Sequence, residues 1–272
     1  MTDDSRASAA IARLGARFPG KRALVTGAAS GLGLAFTRAL ASGGWRLCLL
    51  DRNAEALASM NGANVAASSL DVRDREGVRN AVDAFAAAHG GVDVAILCAG
   101  VAMAGHFLDG TDEDWQWIFG INVHGVAHGC RAVLPHMIAA RSGLIITIAS
   151  AAGFVSGPQM SAYNASKAAV ISLSETLAQE LQPHGVQVTV AMPGFFKTAL
   201  LDQARGQART LRAARKVMDS SSVDADSVAA EILARAAARR THVVLPGPYR
   251  RLWRFKRFSP ALFTRLFPRM RP

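Results

Sequence analysis

The stretch Arg22-Ala23-Leu24-Val25-Thr26-Gly27-Ala28-Ala29-Ser30-Gly31-Leu32-Gly33 passes from a short apolar run, through a glycine-rich turn, into helix-forming residues that continue to Ser42. An apolar run of this length, bounded by glycine, reads as a buried strand, and the residues after the turn read as a helix. The same alternation repeats along the chain. Candidate strands lie at 22–26, 46–51, 64–70, 93–98, 144–150, 186–192 and 242–245. Helical stretches rich in Ala, Leu and Arg separate them, among them 32–42, 75–89, 112–140 and 161–182. Most of the strand runs are continuously apolar, as strands covered on both faces of a parallel sheet should be. Strand and helix in this alternation, joined by right-handed crossovers, imply an α/β fold. It is a doubly wound parallel sheet of about seven strands with helices on both faces.

The chain has 272 residues and is 50% apolar, enough for a sizeable core. No Pro/Gly/Ser-rich linker interrupts residues 21–248, which therefore read as one domain between an N-terminal extension (1–20) and a C-terminal tail (249–272). Within the domain, residues 197–223 stand apart. The segment from 202 onward has no strand pattern, carries five basic residues from Arg205 to Lys216, and ends in Ser220, Ser221 and Ser222. It follows a strand end, where ligands bind in such sheets, and reads as a mobile lid.

Cys48, Cys98 and Cys130 are widely spaced, fitting free thiols of a cytoplasmic protein. His124 and His128 stand four apart on a helical stretch without a third ligand in view, so no metal is expected. No apolar run approaches the ~20 residues of a membrane-spanning helix. The N-terminus, with Asp3 and Asp4, lacks the apolar stretch of a signal peptide.

The net charge of +11 is concentrated at one end, because residues 249–272 hold eight Arg/Lys and no acid. In that tail Leu252, Phe255, Phe258, Leu262, Leu266 and Met270 approximate helical spacing, with Trp253, Phe263 and Phe267 beside them. Pro260 and Pro268 divide it. A basic amphipathic helix suits an anionic membrane surface, which would place the protein at the inner face of a membrane. Folding over a neighbouring subunit is the alternative. Nucleic acid ranks third, since the body shows no such module.

The glycines of the first turn permit a tight bend and a close approach of the backbone to a diphosphate. The helix that follows presents unpaired N–H groups and the positive end of its dipole. Asp51 closes the second strand, where a carboxylate accepts the ribose hydroxyls of a dinucleotide and repels a 2′-phosphate. Arg52, next to it, would instead pair with that phosphate. Farther on, Tyr163 and Lys167 stand four apart and so share a helix face. A free phenol is a poor base near neutrality, and a neighbouring ammonium favours its ionised form. Ser150 ends the fifth strand, thirteen residues before Tyr163. Asn122 lies in Asn122-Val123-His124-Gly125 within a long helical stretch, where Asn and Gly are locally unfavourable. Taken singly, these residues also suit a turn, a helix cap or a strand end.

In this order and spacing, however, they resemble the short-chain dehydrogenases/reductases, from about residue 21 to 245. Thr26-Gly27 through Gly33 is similar to that family's TGxxxGxG loop, and Asn122, Ser150, Tyr163 and Lys167 to its catalytic tetrad. Cys98-Ala99-Gly100 resembles its Asn-Ala-Gly, with Cys in place of Asn. The resemblance implies a Rossmann-type sheet and hydride transfer between a nicotinamide coenzyme and an alcohol or ketone. Ser150 would orient the substrate, Tyr163 move the proton, Lys167 bind the nicotinamide ribose, and Asn122 hold a water linking Lys167 to solvent. Gly27, Ser30, Gly31, Leu32 and Gly33 would cradle the diphosphate, and Asp71 and Val72 the adenine. Cys98, Ala99, Gly100, Pro193, Gly194, Phe196 and Thr198 would lie along the coenzyme. NAD(H) is favoured through Asp51, and NADP(H) stays open through Arg52. Met103, Phe154, Met160, Phe195 and Leu201 are expected to line a pocket for an apolar secondary alcohol or ketone. The resemblance further implies a homodimer or homotetramer. The rival is a non-catalytic coenzyme-binding or membrane-docked scaffold of the same fold.

Overall fold

In the computed structural model, which describes residues 3–60 and 62–266, the seven expected strands form one parallel sheet. They are β1 (Arg22–Thr26), β2 (Arg46–Asp51), β3 (Val65–Ser69), β4 (Val94–Leu97), β6 (Gly143–Ile148), β7 (Val186–Pro193) and β9 (His242–Leu245). Their order across the sheet is β3-β2-β1-β4-β6-β7-β9. The order reverses between β1 and β4, so the connections leaving these two strands diverge and open a crevice at their C-terminal ends. β1 shows why the strands carry no alternation. Ala23 and Val25 pack into one core cluster and Leu24 into the other, and all three are fully buried.

One face of the sheet is covered by α1 (Asp3–Arg17), α2 (Gly31–Ser42) and α10 (Ala225–Ala237). The other is covered by α4 (Arg75–His89), α6 (Gly125–Ala139) and α8 (Ser161–Glu180). A short α3 (Ala54–Ala58), capped by Asn53, leads into β3. The N-terminal helix is part of the first layer. Its Ala10, Ile11 and Leu14, with Phe18 just beyond, are buried with residues of α2 and α10.

Two sequence expectations are corrected. Residues 112–140 do not form one helix. α5 (Asp112–Phe119) gives way to a wider π turn over Gly120–His124 before α6 begins, with Gly125 N bonding back to Gly120 O. Residues 202–223 do contain a strand. β8 (Arg205–Gly206) pairs in parallel with β5 (Met103–Ala104), and α9 (Ala208–Asp219) follows it. These two-residue strands are too short to leave a periodic pattern in the sequence.

Beyond β9 come α11 (Gly247–Phe258) and α12 (Pro260–Leu266). Tyr249, Leu252 and Trp253 pack on the core cluster that also holds Leu173 and Leu177 of α8. Between them and α8, the short α7 (Ala152–Val155) contributes Phe154. Phe263 is buried edge-on against Phe255, their ring centres 5.7 Å apart. The expectations for Phe267, Pro268 and Met270 lie outside the described residues. Among the described residues no helix is long and apolar enough to cross a membrane.

The packing of α1 makes a testable statement. Leu14→Ala removes a fully buried side chain and should lower unfolding free energy by about 2–5 kcal/mol, read by urea denaturation. An unchanged midpoint would mean that α1 is not docked in solution.

Candidate active site

The glycine turn is shaped by what lies against it. Gly27 adopts φ +65°, and a Cβ there would come within 2.8 Å of Ala99 Cα. A Cβ on Gly33 would lie 1.9 Å from Gly27 O, so only glycine lets α2 start this close to the loop. Thr26 Oγ1 accepts hydrogen bonds from the N–H groups of Cys98 (3.0 Å) and Ala99 (3.2 Å), tying the ends of β1 and β4 together. In the sequence Thr26 only opens the glycine motif, and this role of its hydroxyl leaves no signal there. This bond works through the main chain of residue 98, so Cys in place of Asn leaves it intact. Burial pushes the Cys98 thiol up to about 12, keeping it neutral near Lys167. Ser30 stands at the N-cap of α2 with its hydroxyl making no capping bond. Thr198 reaches the same loop, its Oγ1 2.8 Å from where a Cβ on Gly31 would be.

Asp51 Oδ2 accepts from Ala29 N (2.9 Å) and Oδ1 from Asn53 N (3.0 Å), which fixes the carboxylate at the edge of the glycine turn. Arg52 points elsewhere, donating to Gln203 Oε1 in the segment read as a lid. That pair spans 151 residues and left no trace in the sequence. Asp71 is bound by Arg73 at 2.7 Å, and this hydrogen bond holds its carboxyl below the usual range. Val72 is buried, with its carbonyl 2.9 Å from His128 Nδ1. No group of three metal-ligating side chains occurs among the described residues.

The four tetrad positions converge at the C-terminal ends of β4 and β6. Asn122 has no exposed surface and sits in the π turn. Its Oδ1 accepts from Val101 N (2.8 Å), and its Nδ2 donates to Val101 O and Ser166 Oγ (both 3.0 Å). Ser166 in turn donates to Tyr163 O at 2.8 Å. Sequence reasoning missed Ser166, although it falls between Tyr163 and Lys167. Both ends of the Asn122 side-chain amide are thus engaged by protein groups.

Lys167 Nζ donates to Ile148 O at 2.9 Å and lies 5.9 Å from the centre of the Tyr163 ring. It is buried, and desolvation brings its pKa from the usual 10.5 down to about 8. Desolvation pushes the Tyr163 phenol up, and a hydrogen bond with the Ser150 side chain acts the other way. Ser150 Oγ also accepts from Ala152 N at 3.1 Å, which holds it in place at the start of α7. Gly100 completes the group, for a Cβ there would lie 3.2 Å from Asn122 Oδ1 and 3.3 Å from Lys167 Nζ.

Around Tyr163 the structure gathers Val101, Ala102, Met103 and Leu201 as buried neighbours, with Met160 and Leu200 half-buried. The lid segment closes over them, since Met218, Leu211 and Ala214 of α9 join the same cluster. It is held by Arg205 N to Ala102 O (3.2 Å), Gln207 N to Ala104 O (2.8 Å) and an Arg205–Asp114 ion pair at 3.0 Å. Not every expected pocket residue is here. Phe154 faces the opposite cluster beneath α11 and Phe195 is more than a third exposed, while Phe196, expected along the coenzyme, packs with α10. Pro193 O accepts from Ala151 N (2.8 Å), and Gly194 lies against the Tyr249 ring.

The model of the family described as short chain dehydrogenase matches residues 21–209, which hold both the glycine turn and the tetrad. The chain is a short chain dehydrogenase. It is 36% identical to the oxidoreductase UcpA of Salmonella typhimurium over 197 residues, 70% of this chain and 75% of that protein. It is 33% identical to the 3-oxoacyl-[acyl-carrier-protein] reductase FabG of Thermotoga maritima, over 71% of this chain and 81% of FabG. Among solved structures, a short chain dehydrogenase/reductase from Burkholderia phymatum in complex with NAD superposes with a TM-score of 0.82 at 34% identity, covering 90% of this chain and 96% of that one. The protein is thus an oxidoreductase acting on CH–OH or C=O groups, on a fold that binds a nicotinamide coenzyme.

Burial of Lys167 has a consequence for this dehydrogenase that pH exposes. Below about 8 the folded and unfolded chains both carry the proton, and the folded one bears the cost of a buried charge. Between about 8 and 10.5 only the unfolded chain holds it, so stability attributable to Lys167 rises with pH. The stability difference between wild type and Lys167→Met should therefore shift in favour of wild type by on the order of 3 kcal/mol across that window. Urea denaturation of both proteins across the window measures it. A flat difference would contradict the burial.

Proposed function

We propose that this short chain dehydrogenase exchanges a hydride between NAD(H) and an apolar secondary alcohol or ketone, with Tyr163 as its general acid/base. The observation that carries this reading is the joining of the buried Tyr163, Lys167 and Asn122 with the half-buried Ser150 at the end of the sheet. With its pKa near 8, Lys167 is cationic at neutral pH. Its charge, close to the ring, favours the phenolate form of Tyr163 and lowers the barrier to losing the proton. Tyr163 then takes the proton from an alcohol, or gives it to a carbonyl oxygen in the reverse direction. Ser150 holds the substrate oxygen against the phenol, and its own fixed position limits where that oxygen sits.

The residues present fit the coenzyme. Side chains at Gly27, Gly31 and Gly33 would fill the cradle, and Ser30 leaves the first turn of α2 uncapped for a diphosphate. In this reading Gly27, Ser30, Gly31, Leu32 and Gly33 hold the diphosphate. Asp51 holds the adenosine ribose, and Asp71 and Val72 border the adenine. Ala99, Gly100, Lys167, Pro193, Gly194, Phe196 and Thr198 hold the nicotinamide half. When bound, the nicotinamide supplies or accepts the hydride. The fixed Asp51 carboxylate and the engagement of Arg52 with Gln203 favour NAD(H) over NADP(H). The apolar substrate rests on Met103, Met160 and Leu201, which belong to the apolar cluster around Tyr163. FabG, whose name denotes reduction of an oxo group, supports carbonyl–alcohol chemistry. By the family's habit the protein is proposed to work as a homodimer or homotetramer in the cytoplasm. A non-catalytic scaffold would not require the Tyr–Lys pair.

Two measurements test this. Tyr163→Phe should keep coenzyme affinity and lose roughly 10²–10⁴-fold in kcat on a responsive alcohol or ketone. Full turnover would remove Tyr163 from the mechanism. Calorimetric titration should find NAD(H) tighter than NADP(H), with Asp51→Ala narrowing the gap. Tighter NADP(H) would move the specificity to Arg52, and binding of neither would end the enzymatic proposal.

A further inference from the structure

We infer that the outer face of α11 and α12 docks this protein onto an anionic lipid bilayer. The two sides of the tail have different fates. Tyr249, Leu252, Trp253 and Phe263 turn inward, and the exposed Arg257 lies over the Trp253 ring at 4.9 Å and 3.7 Å from Glu175. That packing fixes the orientation of α11, so what remains outside is set by the fold and not by a free tail.

Outside lie Arg251, Arg254 and Phe258, then Leu262 and Arg265, all exposed. In α11 they recur three and four residues apart, and the next residues of α12 continue the row across the break at Ser259. Arg251, Arg254 and Arg265 have no ion-pair partner among the described residues. Between them Phe258 is 89% exposed and Leu262 44% exposed, two of the six large apolar side chains left open to solvent among the described residues.

Unpaired guanidinium groups flanking an exposed aromatic are complementary to a surface that is anionic at its headgroups and apolar just beneath. Nucleic acid would use the charges and leave Leu262 without a partner. The sequence beyond, with Phe267, Arg269, Met270 and Arg271, adds charge and apolar residues of the same kind and no acid. The location also suits the role. α11 starts at the rim of the substrate side, its Tyr249 ring against Gly194, so docking brings the loop after β7 close to the lipid. The inference stands on the tail alone and does not require the catalytic reading.

The full-length protein is tested by sedimentation with vesicles of phosphatidylcholine containing phosphatidylglycerol, and with phosphatidylcholine alone. Binding is expected with the anionic vesicles and not with the neutral ones. Two double variants, Phe258→Ser with Leu262→Ser and Arg251→Glu with Arg254→Glu, should each weaken it by roughly tenfold or more. Because all four side chains are exposed, both variants should keep the wild-type melting temperature and coenzyme binding, which separates lost docking from lost folding. Wild-type protein that stays in the supernatant with anionic vesicles overturns the inference. So does a Phe258/Leu262 variant that sediments as well as wild type. Displacement of wild type from vesicles by duplex DNA at a lower concentration than the lipid would assign the face to nucleic acid. Loss of an oligomer in the variants, with no vesicle binding by wild type, would assign it to a second copy of the chain.

Discussion

A primary amide with no exposed surface must satisfy both its ends within the protein, and leaving either unbonded costs about 1–3 kcal/mol. Asn122 meets this demand with Oδ1 accepting from Val101 N and Nδ2 donating to Val101 O and Ser166 Oγ. Three segments far apart in sequence are thereby locked together: the loop after β4, the turn between α5 and α6, and the first turns of α8. The positions of Tyr163 and Lys167 follow from this lock, because both stand on α8 within one turn of Ser166. The helix accommodates it by widening into a π turn at Gly120–His124, a distortion that is retained where a side chain has to be aimed.

The same crevice is bounded by contacts that use main chain in preference to side chains. Thr26 clasps two N–H groups after β4, and Asp51 clasps one in the glycine turn and one after β2. Such bonds place the backbone itself, which is what a ligand read by N–H groups and a helix N-terminus requires. On the substrate side, β5 and β8 bond the lid to the loop after β4, so the cover of the site and its floor share one small sheet.

Most of the architecture was legible in the sequence because its signals are local. β1, β2 and β9 are uninterrupted apolar runs with turn residues at their ends, and their limits were read to the residue. The glycine turn and the four positions Asn122, Ser150, Tyr163 and Lys167 were legible through their joint order and spacing, since each alone suits a turn, a cap or a strand end. What escaped depends on packing. Residues 112–140 read as one long helical stretch despite Asn122 and Gly125, and the π turn at Gly120–His124 that divides them carries the buried Asn122. Phe154 was assigned to the pocket from its position after a strand, but α7 turns it beneath α11, a choice made by the tail about a hundred residues later. The Arg52–Gln203 bond and the β5–β8 pair join segments that share no pattern.

The docking of α1 against α10 also bears on how fast the chain can fold. Ala10, Ile11 and Leu14 pack in one cluster with residues of the helix Ala225–Ala237, more than two hundred positions later in sequence. Contacts of such separation raise the contact order, and the entropy of closing the intervening loop has to be met before they return any stability. The first layer is therefore the part of the sheet's cover that closes late, after the local strand–helix–strand units have formed.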